Sequence, residues 1–215
     1  MTGWSREEMA AQVAADIPPG AVVNLGIGQP TLVAGFVAPD SDVVFHSENG
    51  ILGMGPRPDP GAEDLDIIDA GKTPVTLLPG AAIVHHADSF AVIRGGRLDI
   101  AVLGAYQVSS QGDLASWIVA GQELGSIGGA MDIALGAKRV FVMMQHCDKE
   151  GRPKIVGDCT YPLTAPACVS RIYTDLAVID VRDGLFVRRM HPLIGFEELQ
   201  AVSGAHLGAM EAAAS

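Results

Sequence analysis

Residues 99–105, DIAVLGA, are apolar at nearly every position. A strand with one solvated face alternates apolar and polar residues, so a run with this little interruption reads as a strand buried on both faces, inside a parallel sheet. Residues 138–144 (KRVFVMM) and 21–25 (AVVNL) have the same character. Parallel neighbours need crossover connections, and helical signals lie between these runs. Ser5 and Glu8 make a capping box, and Met9, Val13 and Ile17 continue an apolar face until Pro18-Pro19-Gly20 stops it. Residues 85–96 have a helical core closed by two glycines, and 196–202 begin a last helix. The expected fold is a single α/β domain over 1–215, with a mainly parallel open sheet, helices on both of its faces, and a frayed tail at 209–215.

The remaining segments are assigned by local chemistry. Residues 31–37 read as a short helix after the glycine turn GIGQP, 57–66 as a surface loop, and 66–69 as a short strand. Pro79-Gly80 separates two apolar pieces, 75–78 and 81–84. Residues 106–109 are expected to extend the strand at 99–105, whereas 112–117 read as irregular. A proline-containing loop spans 159–175, and 176–181 with 185–189 form a hairpin around Asp183-Gly184.

Twenty-five acidic against 14 basic residues give a net charge of -11, which repels a phosphate backbone and argues against a nucleic-acid partner. The cysteines, Cys147, Cys159 and Cys168, form no CxxC pair, so neither a disulfide framework nor a zinc site is indicated. The pairs His85-His86 and His146-Cys147 lack metal-ligand spacing. No apolar run approaches the length of a membrane span, and residues 1–10 carry no signal pattern. These features describe a soluble cytoplasmic protein without membrane association, metal or tightly bound cofactor.

Two stretches carry candidate chemistry. HSENGILGMGP, residues 46–56, follows a short apolar run and places Glu48 directly before Asn49-Gly50, a dipeptide that tolerates positive φ. Ligands of open α/β sheets bind at strand ends, so Glu48 is a candidate catalytic carboxylate. On local grounds alone a solvated loop glutamate is the better reading. The second stretch is the glycine-rich SIGGAMDIALGA, which places Gly128-Gly129 at a helix start, where free N–H groups could hold an oxygen that becomes negative. A close-packing loop without a ligand explains those glycines equally well.

Taken together, SENG with GMGP, VNLGIG, LPGAA with ADSFAVIRGG, GGAMDIALGAKRVFVMMQH and CTYPLTAPACVSRIYTDLAVID, five stretches in order over nearly the whole chain, resemble the beta subunit of family I (3-oxoacid type) CoA-transferases. HHADSF and SRIYTDLAV look most like members acting on 3-oxoadipate, with acetoacetate-type transferases as near neighbours. The resemblance implies a transferase in which Glu48 carries CoA covalently between two carboxylic acids, with Gly128 and Gly129 as backbone oxyanion donors. It implies that Ser47, Asn49, Gly50 and Gly53 form the loop meeting CoA or substrate. It also implies a coenzyme A thioester as substrate rather than a resident cofactor. The glycine-rich CoA signature of a separate alpha subunit is missing here, so the resemblance implies a hetero-oligomer in which this chain is half of the enzyme.

Ser126 stands where many relatives have glycine, and Ser116 replaces a common asparagine. Both departures bear on the acceptor-acid pocket more than on the reaction. For a second substrate carboxylate the sequence offers Arg94, Arg97 and Arg171. Three other readings compete: a sugar-phosphate isomerase, which needs Lys or Arg beside a phosphate loop; a thioesterase, in which water intercepts the intermediate; and a non-catalytic sensor on the same fold.

Overall fold

A computed structural model of the chain describes residues 3–119, 121 and 125–209. The chain opens with helix α1 (Arg6–Ala15), strand β1 (Val22–Leu25), a 3-10 helix (Gln29–Phe36), and strands β2 (Val44–Ser47), β3 (Ile51–Met54) and β4 (Leu77–Ile83). Helix α2 (His86–Arg94) leads into β5 (Leu98–Leu103), β6 (Gln107–Ser109) and β7 (Leu114–Ala115). Helix α3 (Ala130–Gly136) leads into β8 (Ala137–Met143) and β9 (Ile155–Val156). The last third holds β10 (Val169–Tyr173), β11 (Ala177–Arg182), β12 (Gly184–Met190), α4 (Phe196–Ala201) and β13 (Leu207–Gly208).

Ten strands form one sheet in the order β13-β12-β11-β10-β8-β5-β1-β2-β3-β4. Its centre, β10-β8-β5-β1-β2, is wholly parallel, and antiparallel strands flank it on both sides. Strand β5 sits in the middle, as its nearly uninterrupted apolar run requires. Successive residues point to opposite faces: Ile100 packs with Met9, Val13 and Phe141 under α1, and Ala101 with Ile93, Ile133 and Val140 under α2 and α3. Helices therefore cover both faces of the sheet. Helix α1 starts with the expected reciprocal cap: Glu8 N donates to Ser5 Oγ at 3.1 Å, and Ser5 N donates to Glu8 Oε2 at 2.7 Å.

Several local expectations are corrected. Residues 106–109 do not extend β5: the chain bends after Leu103, and β6 joins a separate three-stranded sheet, β7-β6-β9. Residues 112–117 hold β7, and ILGM of the stretch 46–56 is strand β3, paired with β2 as a hairpin. Pro79-Gly80 does not split its segment. Strand β4 runs through it because β4 is the outermost strand, where the proline's missing N–H removes no bond the sheet needs. The loop at 159–175 contains β10, parallel to β8, so its prolines mark only its first half. Residues 66–69 reduce to an isolated Ile68–Pro74 bridge, and the helix at 31–37 is part of the 3-10 helix. Of the tail, 210–215 lie outside the described residues.

Candidate active site

The chain steps from β1 outward to β2 on one side, and β5 lies on the other side of β1. Connections that diverge from adjacent strands leave a crevice at their carboxyl ends, where α/β proteins bind ligands. A cavity of about 450 Å³ opens there, lined by Gly26 and Ile27 after β1, Glu48 after β2, Gly104 after β5, and Met144 and Gln145 after β8. The small sheet supplies another wall: Tyr106 precedes β6, Ser116 follows β7 and Lys154 precedes β9. A third comes from Ser126 to Ala130, ahead of α3.

Glu48 is delivered by the β2–β3 hairpin. Gly50, at φ +125, closes the turn by donating its N–H to the Ser47 carbonyl at 2.9 Å, and its own carbonyl accepts from Val84 N, also at 2.9 Å. The turn thereby lies against the end of β4. A Cβ at Gly50 would overlap the Val84 carbonyl oxygen, and at Gly53, φ +82, it would stand 3.1 Å from Ala81 Cα. Both glycines are needed for the hairpin's conformation and close approach.

The carboxylate is held from the neighbouring strand. Asn24 on β1 faces His46 on β2, and its amide Nδ2 lies 3.2 Å from each of Glu48 Oε2, His46 Nδ1 and the His46 carbonyl. An amide nitrogen only donates, so His46 Nδ1 is the acceptor and Nε2 carries the proton, donated to Ser89 Oγ on α2 at 2.8 Å. His46 is 1% exposed, and burial holds its pKa down to about 4. The ring is thus a neutral spacer that fixes the amide. Asn24 Oδ1 and Gln29 Oε1 are buried acceptors without a partner among the described residues, and Gln29 also lines the cavity.

The same cavity is lined by Gly128, at φ +47, and Gly129, the residue that caps α3. Neither N–H donates a hydrogen bond among the described residues, whereas the next amide, Ala130, is taken by Ile127 O at 3.0 Å. A helix of seven residues has little macrodipole, so the individual amides are what this turn offers an oxyanion. Lys154 is the one Lys or Arg among the described residues lining the cavity, and burial lowers its pKa to about 8 against the pull of Asp175 and Asp148. Ser126 and Ser116 both line the cavity too, the Ser116 hydroxyl being joined to Thr164 Oγ1 at 2.8 Å.

The structure therefore gathers Glu48, Gly128 and Gly129 and leaves the other predicted residues beside the cavity. Ser47 lines a neighbouring hollow of about 280 Å³ and accepts a hydrogen bond from Ala70 N. Asn49 is exposed and donates to the Ile68 carbonyl at 2.7 Å, so Asn24, not Asn49, holds the glutamate. None of the three candidate arginines lines the cavity. Arg94 pairs with Asp132, Arg97 is exposed, and Arg171 is bound by Asp16 and Asp180. Sequence reading missed Asn24 and Lys154. The signal for Asn24 was there, a lone polar residue in an otherwise apolar strand; Lys154 sits in a turn that reads as solvated.

Comparisons with known proteins agree with this geometry. Residues 6–196 match the family model described as Coenzyme A transferase. The chain is 60% identical over 205 residues, 94% of its length and 96% of the relative's, to one subunit of the 3-oxoadipate CoA-transferase of Pseudomonas putida. It is 47% identical over 175 residues to the corresponding subunit of the succinyl-CoA:3-ketoacid coenzyme A transferase of Helicobacter pylori, covering 81% of this chain and 84% of that one. Its fold matches an acyl-CoA transferase from Escherichia coli O157:H7 with a TM-score of 0.77 at 17% identity, over 96% of this chain and 42% of that longer one. A family match over residues 6–196 and relatives this similar over nearly the whole chain mean that this chain belongs to the coenzyme A transferase family.

Proposed function

We propose that this chain is the catalytic beta-type subunit of an enzyme that moves CoA from succinyl-CoA to a 3-oxo acid, with 3-oxoadipate the preferred acceptor. The observation that carries the reading is Glu48 in one cavity with the amides of Gly128 and Gly129, which have no partner among the described residues. The choice of acid follows the P. putida relative, named for 3-oxoadipate. Acetoacetate is the second candidate, because the H. pylori relative is named for a 3-ketoacid more generally.

In the proposed chemistry the Glu48 carboxylate attacks the thioester carbonyl. The C–S bond breaks, leaving a mixed anhydride and CoA thiolate. The thiolate then attacks the Glu48 acyl carbon, freeing succinate and leaving a glutamyl-CoA thioester. An acceptor carboxylate repeats the two steps in reverse order and restores free Glu48. No bond is lost to water, so the cavity has to exclude it. Each tetrahedral stage puts negative charge on an oxygen, and Gly128 and Gly129 would donate to it, each donor worth a factor on the order of 100 to 1,000 in rate when aligned. Gly50 and Gly53 shape the hairpin that presents Glu48, with Ser47 and Asn49 bracing it.

Each of these two relatives is named as one subunit of its enzyme, and we assign this chain an alpha-type partner that completes the site. An acidic chain of net charge -11 would leave most of the contact with CoA phosphates to that partner. The three free cysteines suit a reducing, cytoplasmic setting.

The test uses the assembled enzyme with succinyl-CoA and no acceptor. Mass spectrometry should find CoA on the peptide containing Glu48, and Glu48→Gln should abolish both adduct and transfer. Transfer without an adduct would refute the covalent route, and full activity in Glu48→Gln would refute the site.

A further inference from the structure

A cation with no counter-ion among the described residues lines this cavity. Lys154 is held at its backbone from two sides: its N–H donates to the His146 carbonyl, and its carbonyl accepts from Val108 N on β6, both at 3.0 Å. The stem therefore starts from a fixed point at the head of β9. Its ammonium has no hydrogen-bond or ion-pair partner among the described residues. The two acidic groups that influence it are otherwise engaged: Asp148 binds Arg152 at 2.6 Å, and Asp175 accepts from His146 N at 2.7 Å. No ion pair within 4.0 Å joins Lys154 to Glu48 among the described residues.

A half-buried ammonium without a partner is costly, and one lining a ligand cavity is suited to an anion brought by the ligand. Lys154 lines the cavity from the small sheet, at the head of β9, and Glu48 from the large sheet, at the end of β2. A molecule whose reacting carboxyl group lies at Glu48 and whose tail reaches across the cavity presents its far end to Lys154. The apolar lining between them, Ile27, Leu103 and Ile133 among others, suits a methylene chain.

We infer that Lys154 binds the second, non-reacting carboxylate of dicarboxylic substrates, selecting acids such as succinate and 3-oxoadipate over acids with one carboxylate. The inference rests on the CoA-transferase reading of the cavity and adds to it the group that reads the acid. A charge-assisted pair of this kind replaces the arginines that the sequence offered, all of which lie elsewhere.

The experiment compares acceptors on the assembled two-subunit enzyme. In a ping-pong reaction kcat/KM for the acceptor depends on the second half-reaction alone, so the ratio of kcat/KM for 3-oxoadipate to that for acetoacetate is independent of the donor. Lys154→Met keeps the stem's apolar length and should lower this ratio about 10- to 100-fold, mostly through KM for the dicarboxylate, the loss expected for one charged hydrogen bond. Lys154→Arg should restore a large part of it. Inhibition by succinate and by its one-carboxylate isostere butyrate gives the same comparison without turnover: Lys154→Met should weaken succinate and leave butyrate unchanged. A ratio within twofold of the parent enzyme, or an equal loss for both acids, overturns the inference, and Lys154→Gln applies the same criterion should the Met variant fold poorly. Failure of the parent enzyme to form the Glu48 adduct would instead overturn the function on which the inference rests.

Discussion

The side-chain amide of Asn24 stands 3.2 Å from Oε2 of Glu48, across the gap between two parallel strands. The same nitrogen faces the ring of His46, which is braced in turn by Ser89. A strand-end carboxylate on a three-residue turn would otherwise rotate freely. The link restricts it before substrate arrives, and orientation of this kind is a large part of what a weak nucleophile needs.

Asn24→Ala should therefore lower kcat by about 10- to 100-fold, the effect of a nucleophile displaced by on the order of 1 Å, with KM for either acid nearly unchanged. Glu48 should still take up CoA, but more slowly. Single-turnover mass spectrometry of the adduct measures this, and unchanged adduct kinetics would remove Asn24 from the mechanism. Asn24→Asp should be worse than Asn24→Ala, because a second carboxylate beside Glu48 adds repulsion to the loss of the donor.

Gly50→Ala should cost stability as well as activity. The residue sits at φ +125, and the added methyl would overlap the Val84 carbonyl, so the hairpin and the end of β4 have to separate. The expected loss is about 1–3 kcal/mol in urea unfolding. Gly80→Ala is the control: φ is +86 but nothing lies within 4 Å of the added methyl, so only the backbone strain remains.

Arg171 is predicted to matter for folding and not for substrate choice. Its guanidinium lies between Asp16, which also binds Arg189, and Asp180, and over the ring of Phe141. Arg171→Met should leave two poorly solvated carboxylates short of a partner and destabilise the chain by about 3 kcal/mol, softened by Arg189 and Arg188. Thermal unfolding should show the loss, while the 3-oxoadipate to acetoacetate preference stays unchanged.

Stability should fall as pH drops from about 6.5 to about 4. His46 and His146 are both held near 4 in the fold by burial, and Asp175 opposes the effect at His146. Their unfolded value is 6.5. Within that window the unfolded chain binds more protons than the native one, so acidification favours unfolding. The stability is fully present above 6.5 and lost on the way down through about 4. Each histidine accounts for a loss on the order of 3 kcal/mol by the low end. Urea midpoints at pH 7 and pH 5 measure the effect, and His46→Gln should flatten the slope by roughly half.

Much of this protein is decided by local pattern. The apolar runs of β5 and β8, residues 100–103 and 140–143, require burial on both faces, and the Ser5–Glu8 box and the glycines after α2 mark helix ends through bonds that neighbouring residues make with one another. The turn that carries Glu48 and the helix start at Gly128-Gly129 were legible for the same reason, but local chemistry favoured a solvated glutamate, and it was the resemblance over nearly the whole chain that singled these residues out. What local pattern misread was set by position in the sheet. Pro79 lies within a strand only because β4 is an edge, and residues 106–109 leave the main sheet because β6 pairs with β7 and β9. Three features of the site needed the third dimension: the Asn24 amide, 24 residues from Glu48 along the chain, the neutral His46–Ser89 brace, and the unpaired ammonium of Lys154. Their roles depend on which groups come within hydrogen-bonding reach and which charges are left without a partner, and only packing of the whole chain determines either.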